Sequence, residues 1–136
     1  MPRPIPVPDA LSKPFWDACD ERRLVVQNCK VCNRKQFPPE LTCEQCESAD
    51  HLEWLEVGGR GRIHGYAVTN DSRIKAWQPE QPFNCAVIEL EEDPAIKFLS
   101  NLPGVPVDQV TVGASVHVEF LEVEPGRLIP EWRVVS

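Results

Sequence analysis

No apolar run in this 136-residue chain approaches the ~20 residues that a bilayer-spanning helix needs. The opening Met1-Pro-Arg-Pro-Ile-Pro-Val-Pro has no apolar centre of the kind a secretion signal requires. Length and composition fit a small cytoplasmic protein, and no membrane partner is expected. A clustered basic surface is missing too. The first 28 residues carry four basic and four acidic side chains, residues 29–53 three and five, and residues 54–136 seven and twelve. Phosphate-backbone binding draws its affinity from grouped Lys and Arg, and Arg60 with Arg62 is the nearest approach to a group. Nucleic acid is therefore not an expected partner. Catalytic signatures are equally scarce. The chain has no G-x-S-x-G, no H-E-x-x-H and no glycine loop to cradle phosphates. His64 and His117 fall in predicted strands and read as exposed. His51 reads as a surface residue or a donor to a neighbouring site. No catalytic residue is assigned.

Cysteine is where the chain is rich. Cys29-Lys-Val-Cys32 and Cys43-Glu-Gln-Cys46 have the same two-residue spacer, and ten residues separate them. Two short turns of this kind can present four thiolates to one tetrahedral ion. A pair of disulfides is the competing reading, but a two-residue spacer closes a strained loop. Zinc is the expected ion, one per chain, with iron as the alternative because both accept four sulfurs. Four protein ligands leave no position for water or substrate, so the site is expected to be structural. Cys19 and Cys85 stand in apolar contexts and are expected to be buried.

Three segments follow from the pattern: 1–23, an arm and helix; 24–55, the ribbon; 56–136, a β domain. Pro2, Pro4, Pro6 and Pro8 favour an extended arm. Ser12 offers a cap and Pro14 is tolerated in a first turn, which predicts a helix over 13–22 with Phe15, Trp16 and Cys19 on one face. Leu24-Val25-Val26-Gln27 reads as a strand entering the first pair, and Leu52-Glu53-Trp54-Leu55 as one leaving the second. Such a hairpin buries little, so metal is expected to supply most of its folding energy.

The β domain opens at the bend Gly58-Gly59-Arg60-Gly61. Strands are predicted over 62–69, 83–90, 96–102, 115–121 and 128–135. The second, FNCAVIEL, is almost wholly apolar and is expected to be buried on both faces. Pro130 in the last marks an edge or bulge. The acidic run Glu89–Asp93 with Pro94 reads as a solvated turn. Five strands with little helix predict a small Greek-key barrel of the OB type. Between the first two strands, the loop 70–82 carries Arg73, Lys75 and Trp77. A Trp flanked by cations could cover an adenine or a pantetheine, bury itself in a partner, or simply pack on the barrel.

The ordered set is more specific than any single motif: Phe15-Trp16, Arg23-Leu24 and a C-x2-C, Phe37-Pro38-Pro39, a second C-x2-C, Glu53-Trp54, Gly59-Arg60-Gly61, Phe83–Leu90, Phe98-Leu99-Ser100-Asn101, and Val112-Gly113 before Val116–Phe120. From about Lys13 onward the chain resembles the acyl-CoA-associated zinc-ribbon/OB-fold family, once known only as a domain of unknown function. The one departure is Asn33 after the first pair, where ribbons often carry Gly, and Asn tolerates the same left-handed turn. The resemblance implies a mainly β fold: an N-terminal helix, a rubredoxin-like zinc ribbon and a C-terminal five-stranded OB-fold barrel. It also implies a non-catalytic accessory subunit that pairs with a thiolase-fold protein or, in some members, a hydratase. In the steroid side-chain branch such a pair is a retro-aldolase that cleaves a β-hydroxyacyl-CoA. The assembly implied is two-plus-two, with acyl-CoA held near Phe15, Trp16, Arg73, Lys75 and Trp77, or with those residues touching the partner. The competing reading is a ribbon–OB interaction or nucleic-acid-binding protein with no enzyme partner.

Overall fold

The structure, a computed structural model, describes residues 5–135. Of the alternating-proline arm, Pro2 and Pro4 lie outside these residues, and Pro6 and Pro8 are in irregular chain. Helix α1 spans Lys13–Asp20 with Pro14 in its first turn. The Ser12 side chain does not cap it. Instead the Asp9 carboxylate accepts the Ser12 N–H at 2.7 Å and Ser12 Oγ accepts the Asp9 N–H at 3.2 Å, a reciprocal box ahead of the helix. The helix stops two residues earlier than its pattern predicts. Arg22 adopts φ 61°, and the Arg22 and Arg23 N–H groups return to Cys19 and Ala18 carbonyls, closing the last turn. Phe15, Ala18 and Cys19 form the buried face, as their spacing predicts, while Trp16 is half-buried.

A three-stranded antiparallel sheet follows, in the order β2 (Lys35–Gln36), β1 (Leu24–Cys29), β3 (Leu52–Val57). All six β1 residues are buried, because α1 packs against a strand already flanked on both edges. The second sheet contains β4 (Arg60–Thr69), β5 (Phe83–Leu90), β6 (Lys97–Ser100), β7 (Ser115–Glu124) and β8 (Arg127–Val134). Its order is β6-β5-β4-β7-β8, antiparallel throughout, and a bulge lies between Ile63 and Gly65. The sheet curls until its two edges nearly meet, and the Trp132 N–H of β8 donates to Ser100 Oγ of β6 at 3.1 Å. The result is a nearly closed five-stranded barrel, mainly β with one α-helix.

Three expectations need correction. Strand β5 buries only one face: Asn84, Ala86, Ile88 and Leu90 point inward. Cys85 is consequently exposed, whereas Cys19 is fully buried and its thiol is pushed up to about 12, by burial first and then by Asp20. An apolar run read as two-sided thus belongs to an antiparallel barrel, whose outer face is open. The third barrel strand is also shorter than predicted, Lys97–Ser100, although Ile96 and Leu102 beyond its ends are buried. The bend predicted over Gly58–Gly61 is confined to Gly58 and Gly59, and Arg60 and Gly61 already belong to β4. Gly59 has φ +72°, and a side chain at Gly61 would strike the Glu89 carbonyl of β5.

Ribbon, helix and barrel share one core. Aromatic rings run in series from Phe15 of α1 to Phe37 of the ribbon at 5.0 Å, to Phe98 of β6 at 4.5 Å, and to Trp132 of β8 at 5.6 Å.

Candidate metal centre and ligand face

The four paired cysteines sit on two turns built alike. Cys29 N–H bonds the Arg34 carbonyl and Asn33 N–H returns to the Cys29 carbonyl. In the second turn Cys43 N–H bonds the Ser48 carbonyl, and Glu47 N–H returns to Cys43. The residue after each pair, Asn33 or Glu47, takes φ near +60°, so Asn33 does the work expected of glycine there. The resulting twofold-like arrangement aims all four sulfurs at one point.

Those sulfurs lie within 4.8 Å of one another, with Cys29–Cys46 and Cys32–Cys43 each at 3.5 Å. A disulfide would need ~2 Å. Four sulfurs each ~2.3 Å from a tetrahedral zinc would stand about 3.8 Å apart, so the spacing fits zinc without rearrangement. Backbone donors tune the set. The Cys46 N–H holds the Cys43 thiol down to about 6 against the opposing effect of burial, and the Gln45 N–H adds to it. The Cys32 and Val31 N–H groups lower Cys29 likewise. Cys32 is raised although the Arg34 N–H lowers it, through burial and its contacts with Cys43 and Cys29. Cys46 is held up at about 11 although the Ser48 N–H lowers it, because the sulfurs of Cys29 and Cys43 crowd it. Four touching thiols cannot all ionise without a cation among them, and a dication removes that conflict. The domain is a zinc ribbon whose four cysteines can bind one metal ion.

A buried glutamine pair, invisible in the sequence, holds the chain between the two turns. Gln27 Oε1 accepts from Gln36 Nε2 at 3.0 Å and from Glu40 N–H at 2.8 Å, and Gln27 Nε2 donates to the Glu40 carbonyl. Gln36 in turn donates to Thr42 O and accepts from Glu44 N–H. Residues 40–44 therefore lead into Cys43 along a fixed path. His51 contributes only its carbonyl, to Lys30 N–H, and its ring is exposed. The exposed His64 ring lies 3.4 Å from Glu89, and His117 Nδ1 lies 3.1 Å from the Val118 carbonyl.

The remaining candidates fall along one face. Trp16 meets Phe15 edge-on at 5.0 Å and lines a groove of about 510 Å³ with Phe37, Lys97, Leu99, Ile129 and Pro130. The loop 70–82 is not irregular throughout: Lys75–Glu80 forms a 3-10 turn. Gln81 Oε1 accepts the Ser72 N–H, and Gln78 Nε2 donates to the Ser72 carbonyl, so the loop is braced from within. Trp77 is half-buried against Phe83, rings 5.3 Å apart, and lines a second groove of about 480 Å³. Arg73 and Lys75 are exposed beside it. The two grooves share Leu99, Ile129 and Pro130, so they adjoin over the β6–β8 seam, Trp16 lining one and Trp77 the other.

Comparison with known proteins finds a ribbon model followed by a barrel model. The model described as "ChsH2, rubredoxin-like zinc ribbon domain" matches residues 16–51, and "ChsH2, C-terminal OB-fold domain" matches residues 54–121. A probable enoyl-CoA hydratase alpha subunit of Thermomonospora curvata is 32% identical over 120 residues, 88% of this chain. The chain spans only 36% of that protein's length. A DUF35 domain-containing scaffold protein of Methanothermobacter thermautotrophicus is 30% identical, covering 79% of this chain and 80% of its own length. Among solved structures, a chain of the "Ltp2-ChsH2(DUF35) aldolase" superposes with a TM-score of 0.85 at 28% identity, covering 96% of this chain and 99% of that one. A DUF35 protein of unknown function from Sulfolobus solfataricus shares the fold, with a TM-score of 0.63 at 18% identity.

Proposed function

Because the chain belongs to the DUF35 family of ChsH2-type zinc-ribbon and OB-fold proteins, we propose that it is a non-catalytic scaffold subunit of an acyl-CoA-processing complex. The partner in this reading is a thiolase-fold protein, and the reaction is retro-aldol cleavage of a β-hydroxyacyl-CoA in steroid side-chain degradation. The observation that carries it is the end-to-end match to the chain of the Ltp2-ChsH2 aldolase, which includes the helix and both domains rather than the ribbon alone. The hydratase name borne by a relative supports the same class of substrate, with a hydratase as a second kind of partner.

Retro-aldol cleavage needs a base for the β-hydroxyl proton and donors for the enolate that forms on the thioester oxygen. In this reading the partner supplies both. Segment 1–23 meets the partner through Trp16, with Phe15 buried beneath it in the core, segment 24–55 is the metal-held ribbon, and segment 56–136 adds Trp77 to the partner face and carries the CoA-facing residues Arg73 and Lys75. The overall acidity of the chain, −7 at pH 7, supports this over a nucleic-acid-binding role. Co-expression with a thiolase-fold protein is the direct test. A stable complex with lyase activity is expected. A chain that purifies alone, and binds nucleic acid in low salt, would favour the competing role.

A further inference from the structure

Every residue from Ile5 to Pro8 is either a proline or precedes one. Proline fixes its own φ at about −65° and drives the residue before it out of the helical region, so this arm is extended before it touches anything. One side of it does not face solvent. Ile5 and Pro6 line the Trp16 groove together with Phe37, Pro38, Leu99 and Pro130, and Ile5 is 42% exposed against 92% for Val7. Grooves lined by aromatic rings suit extended proline-rich segments, because the chain that enters has little freedom left to lose.

The contact is weak by construction. Pro6 and Pro8 have no N–H to donate, and among the described residues no hydrogen bond joins residues 5–8 to the body of the protein. Ile5 and Pro6 hold by apolar contact alone, and neither belongs to the shared core. The root, by contrast, is fixed. The Asp9 carboxylate accepts the Ser12 N–H at 2.7 Å and the Asp9 carbonyl accepts the Lys13 N–H at 2.9 Å, directly ahead of α1. A segment tethered this close meets its groove at a roughly millimolar effective concentration, so a weak contact is enough to seat it. We propose that the arm is a displaceable strap: it fills one end of the Trp16 groove, and a protein that docks there must first lift it. The proposal rests on the reading of the Trp16 face as the partner face, and adds that the free chain keeps that face partly covered.

The test uses the zinc-loaded chain labelled with nitrogen-15, in three forms: unaltered, Ile5→Asp, and lacking residues 1–8. Ile5→Asp sets a carboxylate against the apolar groove and should expel the arm, while the deletion keeps the Asp9–Ser12 box. Both are expected to shift the Trp16 indole signal and leave the Trp54 indole and the zinc content unchanged. A synthetic peptide of residues 2–9, added to the deleted form, should return the Trp16 signal toward its original position, and the same peptide carrying Ile5→Asp should not. A Trp16 signal identical in all three forms, or a peptide that moves only signals elsewhere, overturns the seat. Affinity for a thiolase-fold partner then reads the strap. Both altered forms are expected to bind about fivefold more tightly, the scale set by half-burying one isoleucine. Equal binding would place the arm clear of the partner's footprint, and weaker binding would make it part of the interface; either result overturns the strap. A partner that binds none of the three forms overturns the scaffold reading and the partner-blocking role with it, and the Trp16 signal still decides whether the arm is seated.

Discussion

Gln27 and Gln36 do for the ribbon what a small core cannot. Each is 4% exposed, and together they satisfy backbone groups of residues 40, 42 and 44, which no strand pairs. Gln36→Ala would leave Gln27 Oε1 short of a donor and the Thr42 carbonyl and Glu44 N–H open. A cost of about 1–3 kcal/mol is expected, since the lost partners are buried. The loosened path into Cys43 should raise the zinc dissociation rate, measured with a chromophoric chelator. An unchanged rate and thermal midpoint would show that the network is incidental. The cysteines make a second prediction at this scale. Cys43, depressed to about 6 by the Cys46 N–H, contributes stability that is present above its ordinary thiol pKa and lost as pH falls through about 6. Metal binding adds to the same linkage because only thiolates ligate. Zinc should stay bound at pH 7–8 and be released on acidification only below the metal-free thiol value, because a bound dication lowers its ligating thiols further, and Cys43→Ser should release it at neutral pH with loss of soluble yield. Zinc retained at pH 4, or held by Cys43→Ser, would contradict this. The cysteines were legible because spacing alone encodes a tetrahedral site. The glutamines were not, since a buried Gln and a surface Gln look alike in sequence and only tertiary contacts separate them.

At the level of elements, strand β8 shows why a partner would dock on a face rather than add a strand. Its outward edge has no open donor from 128 to 132: Leu128 N–H bonds Asp20 Oδ1 at 3.0 Å, Pro130 has none, and Trp132 N–H bonds Ser100 Oγ. An edge so blocked resists both β-augmentation and self-pairing. The adjoining apolar grooves lined by Trp16 and Trp77 offer a face for association instead. Trp16→Ala and Trp77→Ala are expected to weaken binding of a thiolase-fold partner, each by about 2 kcal/mol or more if it is an anchor, with zinc content unchanged. Surface plasmon resonance on the purified partner would read the change, and wild-type affinity in both variants would reduce these residues to internal packing. Trp16 already contacts Phe15, so its variant also needs a stability control. The strands themselves were largely legible from alternation, as in Val116, Val118 and Phe120 of β7. The run FNCAVIEL was misread because Cys85 and Val87 give no polar mark to the outer face, and sequence period alone cannot then tell one buried face from two.

For the whole molecule, the series Phe15–Phe37–Phe98–Trp132 ties helix, ribbon and barrel into one packed unit, so a load taken by the helix is carried to the barrel. Such a frame can hold a partner and a cofactor arm in fixed relation, which is what a scaffold must do to help a reaction it does not perform. The titratable groups nearest the grooves are consistent with that division. Their lining contains Lys97 as the one charged side chain among the two groove sets, and Lys97 Nζ donates to the Pro94 carbonyl at the turn before β6. A lysine so occupied is poorly placed to take a β-hydroxyl proton, and the exposed His64 and His117 lie on β4 and β7, outside both grooves. The isolated chain is therefore expected to show no aldolase or thiolase turnover on any CoA thioester. Added to a thiolase-fold partner, it should raise lyase activity until one copy is bound per partner chain, and native mass spectrometry should find a two-plus-two assembly. Substrate turnover that scales with the concentration of the highly purified single subunit would overturn the scaffold reading, because a base and enolate donors would then have to be sought on this chain. If activity instead saturates at one copy per partner, and Lys97→Met leaves the turnover number unchanged, the chemistry belongs to the partner and this chain contributes position alone.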